Sequence, residues 1–247
     1  MSSPQVSILV ADDDAAIRQA LRASLNAAGY SVSEARNGDE AIGAVRQRPF
    51  DLVLMDVSMP SINGIEACRR IRSLAPRTGI VMITVLHEED DKVRALEAGA
   101  DDYITKPFGT RELHARLRAV FRRTDALHSD PAKLNRAGNL EMDLEHRTLR
   151  KAGKEIHLTP TEFEILAFLM QHQDVPVTHT KLLRAIWGAE YGNELEYLRT
   201  YIKMLRKKIE DNPAEPKYLL TEPWVGYRFR DPSQPEPGPP ASDDNVL

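Results

Sequence analysis

The fold is decided by the stretch LVLMDVSMPSINGIE, residues 52–66, in which a short apolar run ends on an aspartate. The run Leu52–Met55 predicts a buried strand, and Ile65–Leu74 predicts the helix that follows it. The same alternation recurs on both sides. Strands are predicted at Val6–Val10, Ser31–Ala35, Ile80–Thr84 and Asp102–Thr105, and helices at Ala15–Ala28, Glu40–Gln47, Asp90–Ala98 and Arg111–Arg123. Strands that alternate with helices predict a parallel sheet covered on both faces, and five such units are typical of an α/β flavodoxin-like (βα)5 domain, here residues 1–124.

The second half of the chain has a different rhythm. Residues 125–137 lack periodicity and contain a proline, which indicates a linker. Residues 138–230 predict a smaller α+β domain that begins with short antiparallel strands in Leu140–Leu158. Its helices are predicted at Thr161–Gln171, Thr180–Trp187 and Glu194–Glu210, and a final strand pair at Tyr218–Thr221 and Tyr227–Arg230. Residues 231–247 are acidic and proline-rich, so a disordered tail is predicted.

Charge and cysteine content limit the class of protein. The formal net charge is −4, but it comes from four acids of the tail, since residues 1–124 hold 17 side chains of each sign and residues 138–230 hold 14 of each. The overall acidity therefore does not exclude a nucleic-acid partner. The lone cysteine, Cys68, excludes an internal disulfide and a multi-cysteine metal cluster. We find neither a signal peptide nor an apolar run of about 18 residues, so we expect a cytoplasmic protein without membrane insertion.

Charged and polar side chains collect at the carboxyl ends of the predicted strands, where open α/β sheets bind their ligands. Asp12 and Asp13 follow the first strand, Asp56 follows the third, Thr84 ends the fourth, and Lys106 follows the fifth. Clustered carboxylates need a positive neighbour, and Mg²⁺ suits them because it prefers oxygen ligands and keeps several waters. One carboxylate can then attack phosphorus, while Lys106 neutralises the phosphoryl oxygens and Thr84 donates a hydrogen bond.

Other interpretations of these acids fit the sequence less well. A single loop acid more often caps a helix, and Asp14, just before Ala15, fits that role. A phosphatase would need a second acid two residues after its nucleophile, but Ser58 stands there, and no insertion is available to cap a substrate. A nucleotide-binding domain is disfavoured because no glycine-rich phosphate loop follows the first strand. We therefore expect a switch rather than an enzyme.

Residues 6–123 resemble the receiver domain of response regulators. The matching segments are ILVADDD, LVLMDVSMPSINGIE and GADDYITKPF. The resemblance implies that Asp56 accepts a phosphoryl group from a sensor histidine kinase, and that the Lys106–Pro107 peptide is cis. The further implied roles are Mg²⁺ binding by Asp12, Asp13, Asp56 and the Ser58 backbone carbonyl, phosphoryl contact by Thr84 and Lys106, and a switch role for the aromatic ring of Tyr103.

The segment YLRTYIKMLRKKIE, residues 197–210, predicts an amphipathic helix with basic side chains on its polar faces. By itself it is also compatible with a solvated basic face. Residues 138–230 resemble the winged-helix effector domain of the OmpR/PhoB family, through LTPTEFEILAFLM, KLLRAIWG, YLRTYIKMLRKKIE and VGYRF in that order. The resemblance implies that residues 188–194 contact RNA polymerase or a neighbouring subunit, and that the helix binds promoter DNA. Base contacts are implied for Arg199, Thr200, Lys203 and Met204, and phosphate contacts for Arg206 and Lys207.

The wing of the second domain departs from the family pattern. Pro223 and Trp224 stand where many relatives have Arg and Gly, and Pro223 removes a donor and a minor-groove cation. Trp224 either packs on the sugar-phosphate wall of DNA or anchors the hairpin, and we favour packing. The pattern YLRxYxxxLRxKxE followed by TEPxVGYRF resembles the branch of the family that controls potassium-uptake operons. Control of a different regulon is the alternative.

The resemblance also implies a two-fold homodimer on phosphorylation, through a face around the fourth and fifth predicted helices. The paired charges would be Lys92 with Glu112, Asp101 with Arg111, and Asp102 with Arg116. The alternative is that these are ordinary exposed helix charges. A regulator of the same fold that binds DNA without phosphorylation is also possible, but the complete set of acids, hydroxyl and lysine argues against it.

Overall fold

The computed structural model describes residues 5–85, 89–124, 134–189, 191–192 and 194–235. The linker prediction over residues 125–133 and the tail prediction over residues 236–247 lie outside these ranges. Within them, every helix is too short or too polar to span a bilayer.

The N-terminal domain is a five-stranded parallel sheet in the order β2-β1-β3-β4-β5. The strands are β1 (Ser7–Ala11), β2 (Ser31–Ala35), β3 (Leu52–Asp56), β4 (Gly79–Thr84) and β5 (Asp102–Thr105). The helices are α1 (Ala15–Ala27), α2 (Gly38–Gln47), α3 (Gly64–Leu74), α4 (Glu89–Glu97) and α5 (Thr110–Thr124). The predicted (βα)5 fold is confirmed, and no element end differs from the predicted one by more than two residues.

Helices cover both faces of this sheet, because alternate residues of each strand point in opposite directions. On one side Ile8 and Leu52 pack with Leu25 of α1 and Leu117 of α5. The other side is lined by the intervening strand residues and by α2, α3 and α4. Its buried members include Leu9, Val53, Met82, Cys68 and Ile71. The central strands are therefore buried on both faces, as their continuous apolar runs predict.

Side-chain caps fix where the helices next to the strand ends begin. The Asp14 carboxylate accepts hydrogen bonds from the backbone N–H groups of Ala16 and Ile17, which confirms its capping role. The Asn63 side chain accepts from the N–H of Glu66 at the start of α3. Asp14 lies three residues after β1 and Asn63 lies seven residues after β3, so each cap fixes the far end of a loop that follows a strand.

The C-terminal domain begins with an antiparallel sheet in the sequence order β6-β7-β8-β9. These strands are β6 (Leu134–Ala137), β7 (Leu140–Asp143), β8 (Thr148–Lys151) and β9 (Lys154–Ile156). Three helices follow, α6 (Pro160–Gln171), α7 (His179–Ile186) and α8 (Leu195–Ile209). A second sheet, ordered β10-β12-β11, contains β10 (Val177–Thr178), β11 (Leu219–Glu222) and β12 (Gly226–Phe229). This is the predicted winged-helix architecture, and β11 and β12 form its wing.

The strand β6 corrects the predicted linker boundary. The sequence pattern places residues 134–137 in the linker, but they pair antiparallel with β7 and so belong to the folded domain. Ala137 is buried, and Gly138, with φ +54°, makes the turn that joins the two strands. The segment is too short to show a periodicity, and its order comes from pairing with a neighbour rather than from its own pattern.

Candidate functional site

The acids of the first and third strands meet at one lysine. Because β1 and β3 pair in parallel, Asp12 and Asp56 reach the same edge of the sheet. The Lys106 ammonium, in the loop after β5, donates to Asp12 Oδ2 at 2.8 Å and to Asp56 Oδ1 at 2.6 Å. Both carboxylates are almost fully buried, and the Lys106–Pro107 peptide is cis. These three side chains of the predicted pocket therefore lie together at one edge of the sheet.

The electrostatics of the pocket favour a reactive carboxylate. Burial raises the pKa of Asp56 above its ordinary value, while the hydrogen bond and charge of Lys106 offset part of that rise. A further hydrogen bond reaches Asp56 Oδ2 from the backbone N–H of Ser58, at 2.6 Å. Burial acts to lower the pKa of Lys106, but its bonds to Asp12 and Asp56 outweigh burial and raise it. The Lys106 ammonium therefore lies directly against the side chains of both Asp12 and Asp56.

Two residues that shape this pocket are not identifiable from the sequence pattern. The Arg18 guanidinium donates to the carbonyls of Asp12 at 2.8 Å and of Asp13 at 3.0 Å, so it holds the backbone of the acidic loop in place. Gly64 lies so close to β3 that a Cβ there would be 2.0 Å from the Asp56 carbonyl oxygen. A basic residue one turn into a helix, such as Arg18 in α1, is too common in sequences to identify a pocket residue. Gly64, eight residues after Asp56, becomes informative only when the structure shows that the loop folds back onto β3.

The remaining predicted pocket residues are placed as follows. Thr84 is buried at the end of β4, and its carbonyl accepts from the N–H of Lys106 at 2.7 Å. Asp13, which follows Asp12 in the chain, is exposed. Tyr103 stacks on Tyr197 of α8, with ring centroids 4.8 Å apart.

The donor set fits Mg²⁺ rather than a metal held by protein side chains alone. In the part of the chain that is described, no three His, Cys, Asp or Glu side chains are grouped closely enough to enclose an ion. Asp12 and Asp56, however, already converge on one cation, the Lys106 ammonium. Mg²⁺ is commonly held by one or two carboxylates and several waters, so this incomplete oxygen set suits it.

The basic helix α8 presents its predicted DNA contacts unequally. Arg199, Lys203 and Lys207 are exposed, Met204 is half-buried, and Thr200 is only 5% exposed. Arg206 donates twice to the carbonyl of Leu219, at 3.0 and 2.7 Å, and once to the Thr221 hydroxyl. Arg206 therefore ties the helix to the wing in this conformation.

The wing tip carries an unsupported aromatic ring. Trp224 has φ +64° and is fully exposed, with a relative accessibility of 102%. It does not anchor the hairpin, since its ring is in solvent. Gly226, which follows, has no room for a side chain, because a Cβ would be 2.0 Å from the Val177 carbonyl. The wing is thus held by its backbone, and the tryptophan is available for an outside contact.

Comparison with known proteins agrees with both halves. Residues 8–118 match the family described as response regulator receiver domain, and residues 153–229 match transcriptional regulatory protein, C terminal. The chain is 41% identical to the transcriptional regulatory protein KdpE of Mycobacterium tuberculosis (strain ATCC 25618 / H37Rv), over 90% of this chain and 98% of the relative. It belongs to the OmpR/PhoB-type response regulators.

The KDP operon transcriptional regulatory protein KdpE of Escherichia coli (strain K12) is 38% identical, with the same two coverages. The solved structure of a RitR mutant is similar with a TM-score of 0.75 at 26% identity, over 92% of this chain and 99% of that one.

As a two-component response regulator, the protein joins a receiver domain to a DNA-binding domain and regulates transcription. The receiver surface formed by α4, β5 and α5, here called the switch face, contains the six predicted dimer residues. Arg111 is exposed, Glu112 pairs with Arg116, and the Lys92 ammonium lies 5.1 Å from the centroid of the Tyr103 ring. Asp101 and Asp102 are fully buried; the Thr161 hydroxyl of the winged-helix domain bonds Asp101, and the Tyr191 hydroxyl bonds Asp102.

Proposed function

We propose that Asp56 accepts a phosphoryl group from a sensor histidine kinase, and that this modification promotes a homodimer with higher affinity for promoter DNA. The observation that carries the proposal is the bridge from one ammonium to two buried carboxylates, Lys106 to Asp12 and Asp56. This edge of the sheet brings the Lys106 ammonium and the two carboxylates together beside the buried residue Thr84. Such an arrangement is suited to stabilise a phosphoryl group.

The transfer is a displacement at phosphorus. An Asp56 carboxylate oxygen forms a bond to phosphorus while the bond from phosphorus to the kinase histidine nitrogen breaks. The histidine nitrogen keeps the electron pair and takes a proton from solvent. Burial of Asp56 makes its oxygen more basic, and Lys106 remains protonated beside the new phosphoryl oxygens.

The proposed cofactor is Mg²⁺, held by Asp12, Asp13, Asp56 and the Ser58 carbonyl. When bound, it supplies positive charge that offsets the carboxylates and the incoming phosphoryl oxygens. The chain itself orients Asp56, through the Ser58 N–H at 2.6 Å, and fixes the acidic loop through Arg18. Thr84 would donate its hydroxyl to the phosphoryl group.

The proposed DNA interface is α8 with the wing. Base contacts are proposed for Arg199, Thr200, Lys203 and Met204, and phosphate contacts for Arg206 and Lys207. The exposed ring of Trp224 supports packing of the wing on the DNA backbone. The loop 188–194 is the proposed contact to RNA polymerase. Regulation of a potassium-uptake operon is supported by the two KdpE relatives.

The phosphoacceptor is tested by labelling the full chain with a small phosphodonor such as acetyl phosphate in Mg²⁺. Asp56→Asn should remove labelling, as read from the intact mass. Asp51→Asn is the matched control, because Asp51 directly precedes β3 but bonds Ser7 outside the pocket. Unchanged labelling of Asp56→Asn would refute the assignment.

The promoter is tested by selecting bound duplexes from random DNA with phosphorylated protein. We expect repeated half-sites about one helical turn apart, since a dimer presents two reading helices. Matches upstream of a potassium-transport operon would support the proposed regulon. Equal DNA affinity with and without phosphodonor would instead favour a regulator that does not depend on phosphorylation.

A further inference from the structure

The loop that carries Asp12 and Asp13 is held by the neighbouring strand and helix. The Asp12 N–H donates to the carbonyl of Ala35, at the end of β2, at 3.3 Å. One nitrogen of the Arg18 guanidinium, Nη1, donates to the carbonyls of both Asp12 and Asp13. The backbone of the loop is therefore bonded on both sides of Asp12, while the Asp12 carboxylate reaches Lys106.

Arg18 is a buried cation whose charge is paired with the edge strand of the sheet. The residue is 8% exposed, and its Nε lies 3.4 Å from Oε2 of Glu34 on β2. The two loop carbonyls that it bonds are neutral, so Glu34 supplies the compensating charge. Because a buried charge is costly without such a partner, Glu34 helps to hold the guanidinium against the loop.

The position of Arg18 has two opposite consequences for a divalent cation at the acidic loop. Its hydrogen bonds order the backbone of two proposed Mg²⁺ ligands, which reduces the conformational entropy that is lost when the ion binds. Its positive charge, however, repels the ion. Glu34 offsets that charge and leaves the hydrogen bonds intact, so the two side chains together can order the loop without strongly repelling the metal.

A purely structural role for this ion pair is the alternative, since it also joins α1 to β2. The helix already has a second contact to the same carboxylate. Arg22, one turn further along α1, lies 3.1 Å from Glu34 Oε1 and is largely exposed. The chain thus has one arginine that joins the helix to the strand at the surface, and a buried one that also bonds the acidic loop.

From these contacts we propose that Arg18 and Glu34 are positioning residues for the metal, through which the edge strand β2 sets the Mg²⁺ affinity of the acidic loop. Arg18 fixes the backbone that carries Asp12 and Asp13, and Glu34 fixes Arg18 and offsets its charge. This rests on the proposed function, since Mg²⁺ is the proposed cofactor.

The test measures the Mg²⁺ affinity of the full-length protein by isothermal titration calorimetry, without a phosphodonor. Arg18→Met makes this a test of sign. It removes a positive charge, so electrostatics alone would tighten Mg²⁺ binding, whereas loss of the loop positioning weakens it. We expect the dissociation constant to rise about tenfold, as is usual when a residue that orients a metal ligand is lost. Arg18→Lys keeps a charged donor and should lie between Arg18→Met and the wild type.

Glu34→Gln separates the charge of the glutamate from its shape. Glutamine can still accept a hydrogen bond from Arg18 but leaves its charge uncompensated. Mg²⁺ binding should therefore weaken by at least about threefold at low ionic strength, and the difference should shrink as salt screens the charge. Arg22→Gln is the matched control, because it removes a guanidinium from the same carboxylate without touching the loop. It should change the affinity by less than about twofold.

Phosphodonor labelling gives a second readout that a general loss of stability would not reproduce. In Glu34→Gln and Arg18→Lys, the Mg²⁺ concentration that gives half-maximal labelling should rise in parallel with the dissociation constant. The maximal rate at saturating Mg²⁺ should return to that of the wild type, because Asp56 and Lys106 are unchanged. A reduced maximal rate with an unchanged Mg²⁺ requirement would overturn the proposal.

The affinities also separate this proposal from the proposed function. Arg18→Met that binds Mg²⁺ as tightly as the wild type, or more tightly, overturns it, because the arginine then contributes only its charge. If Arg18→Met does not fold, unchanged affinity in Arg18→Lys and Glu34→Gln overturns it equally. An effect of Arg22→Gln as large as that of Glu34→Gln does the same. If the wild type itself binds no Mg²⁺, the cofactor in the proposed function fails, and the positioning role fails with it.

Discussion

Two buried carboxylate–cation pairs of the receiver differ in which domain supplies the partners. At the edge that carries the proposed phosphoacceptor, Asp56 is held by Lys106 and by a backbone N–H, both from the receiver. On the switch face, Asp102 is held by Arg116 of the receiver and by two tyrosines of the winged-helix domain. The first pair is complete within one domain, and the second is complete only when two domains meet.

The choice of cation matches this difference. Lysine is a compact point charge on a flexible stem, so it can give up a carboxylate when another cation or a phosphoryl group arrives. Arginine carries five fixed donors, and Arg116 uses them on Asp102, Glu112 and Tyr191 at once. The phosphoacceptor pair is thus built for exchange of ligands, and the switch-face pair for fixing a geometry.

The largest effect is expected where the phosphoacceptor loop has no spare space. Gly64→Ala places a Cβ 2.0 Å from the Asp56 carbonyl oxygen, so the loop or strand must shift. We expect a loss of about 5 kcal/mol or more in the free energy of unfolding, because the clash is with backbone atoms, together with loss of phosphodonor labelling. Denaturant unfolding and intact-mass labelling measure the two.

Gly43→Ala is the control for that substitution. Gly43 lies within α2, and nothing is within 4 Å of the position that an alanine Cβ would take, so alanine should stabilise the helix by ~1 kcal/mol. Labelling should not change. If Gly64→Ala behaved like Gly43→Ala, the tight approach of α3 to the Asp56 strand would be wrong.

The two cations provide the next test. Lys106→Met and Arg116→Met each leave a buried carboxylate without its main charge partner, which costs about 3–5 kcal/mol. We expect added Mg²⁺ to restore much of the thermal stability of Lys106→Met, because the ion can replace the ammonium at Asp12 and Asp56. Arg116→Met should not respond to Mg²⁺. Equal recovery of both variants would remove the distinction between an exchangeable and a fixed pair.

The same two variants should separate chemistry from assembly. Lys106→Met should slow phosphodonor labelling by roughly 10²-fold, the usual effect of losing one group that stabilises developing charge. Arg116→Met lies outside the pocket and should label at close to the wild-type rate. A labelling defect in Arg116→Met as large as that in Lys106→Met would contradict the separation.

The two pairs are also unequally predictable from the sequence. Asp12, Asp56 and Lys106 end or follow strands of one sheet, so the alternation of strands and helices suffices to bring them together. Tyr191 and Tyr197 cannot be assigned to Asp102 in this way, because their contact depends on how two domains dock, which periodicity within each domain does not encode. The strand β6 is not predicted from the sequence for a similar reason, because it is ordered by antiparallel pairing with β7 rather than by a pattern of its own residues.

A smaller effect is expected at the wing. The Trp224 side chain is fully exposed, so its ring contributes little to the stability of the fold. Trp224→Ala should therefore change the free energy of unfolding by less than ~0.5 kcal/mol but weaken DNA binding by ~1 kcal/mol, the contribution of one aromatic contact. Fluorescence anisotropy with a selected duplex measures the affinity. Unchanged affinity would show that the wing does not pack on DNA through this ring.

The smallest effect concerns Cys68, which reports whether loss of the tyrosine contacts between the two domains disturbs the receiver itself. Burial raises the pKa of the Cys68 thiol to about 12, so almost no thiolate is present at pH 8. Its Sγ lies 3.7 Å from the carbonyl oxygen of Ala98, close in the chain to Asp101. Because its hydrogen-bond acceptor Ala98 and its charged neighbours Arg69 and Arg72 all belong to the receiver, the thiol should react with a thiol reagent as slowly in Tyr191→Phe/Tyr197→Phe as in the wild type, and fully only in denaturant. Faster labelling of the double variant would mean that the winged-helix domain supports the receiver core, so that the phosphoacceptor pair and the switch-face pair are not independent.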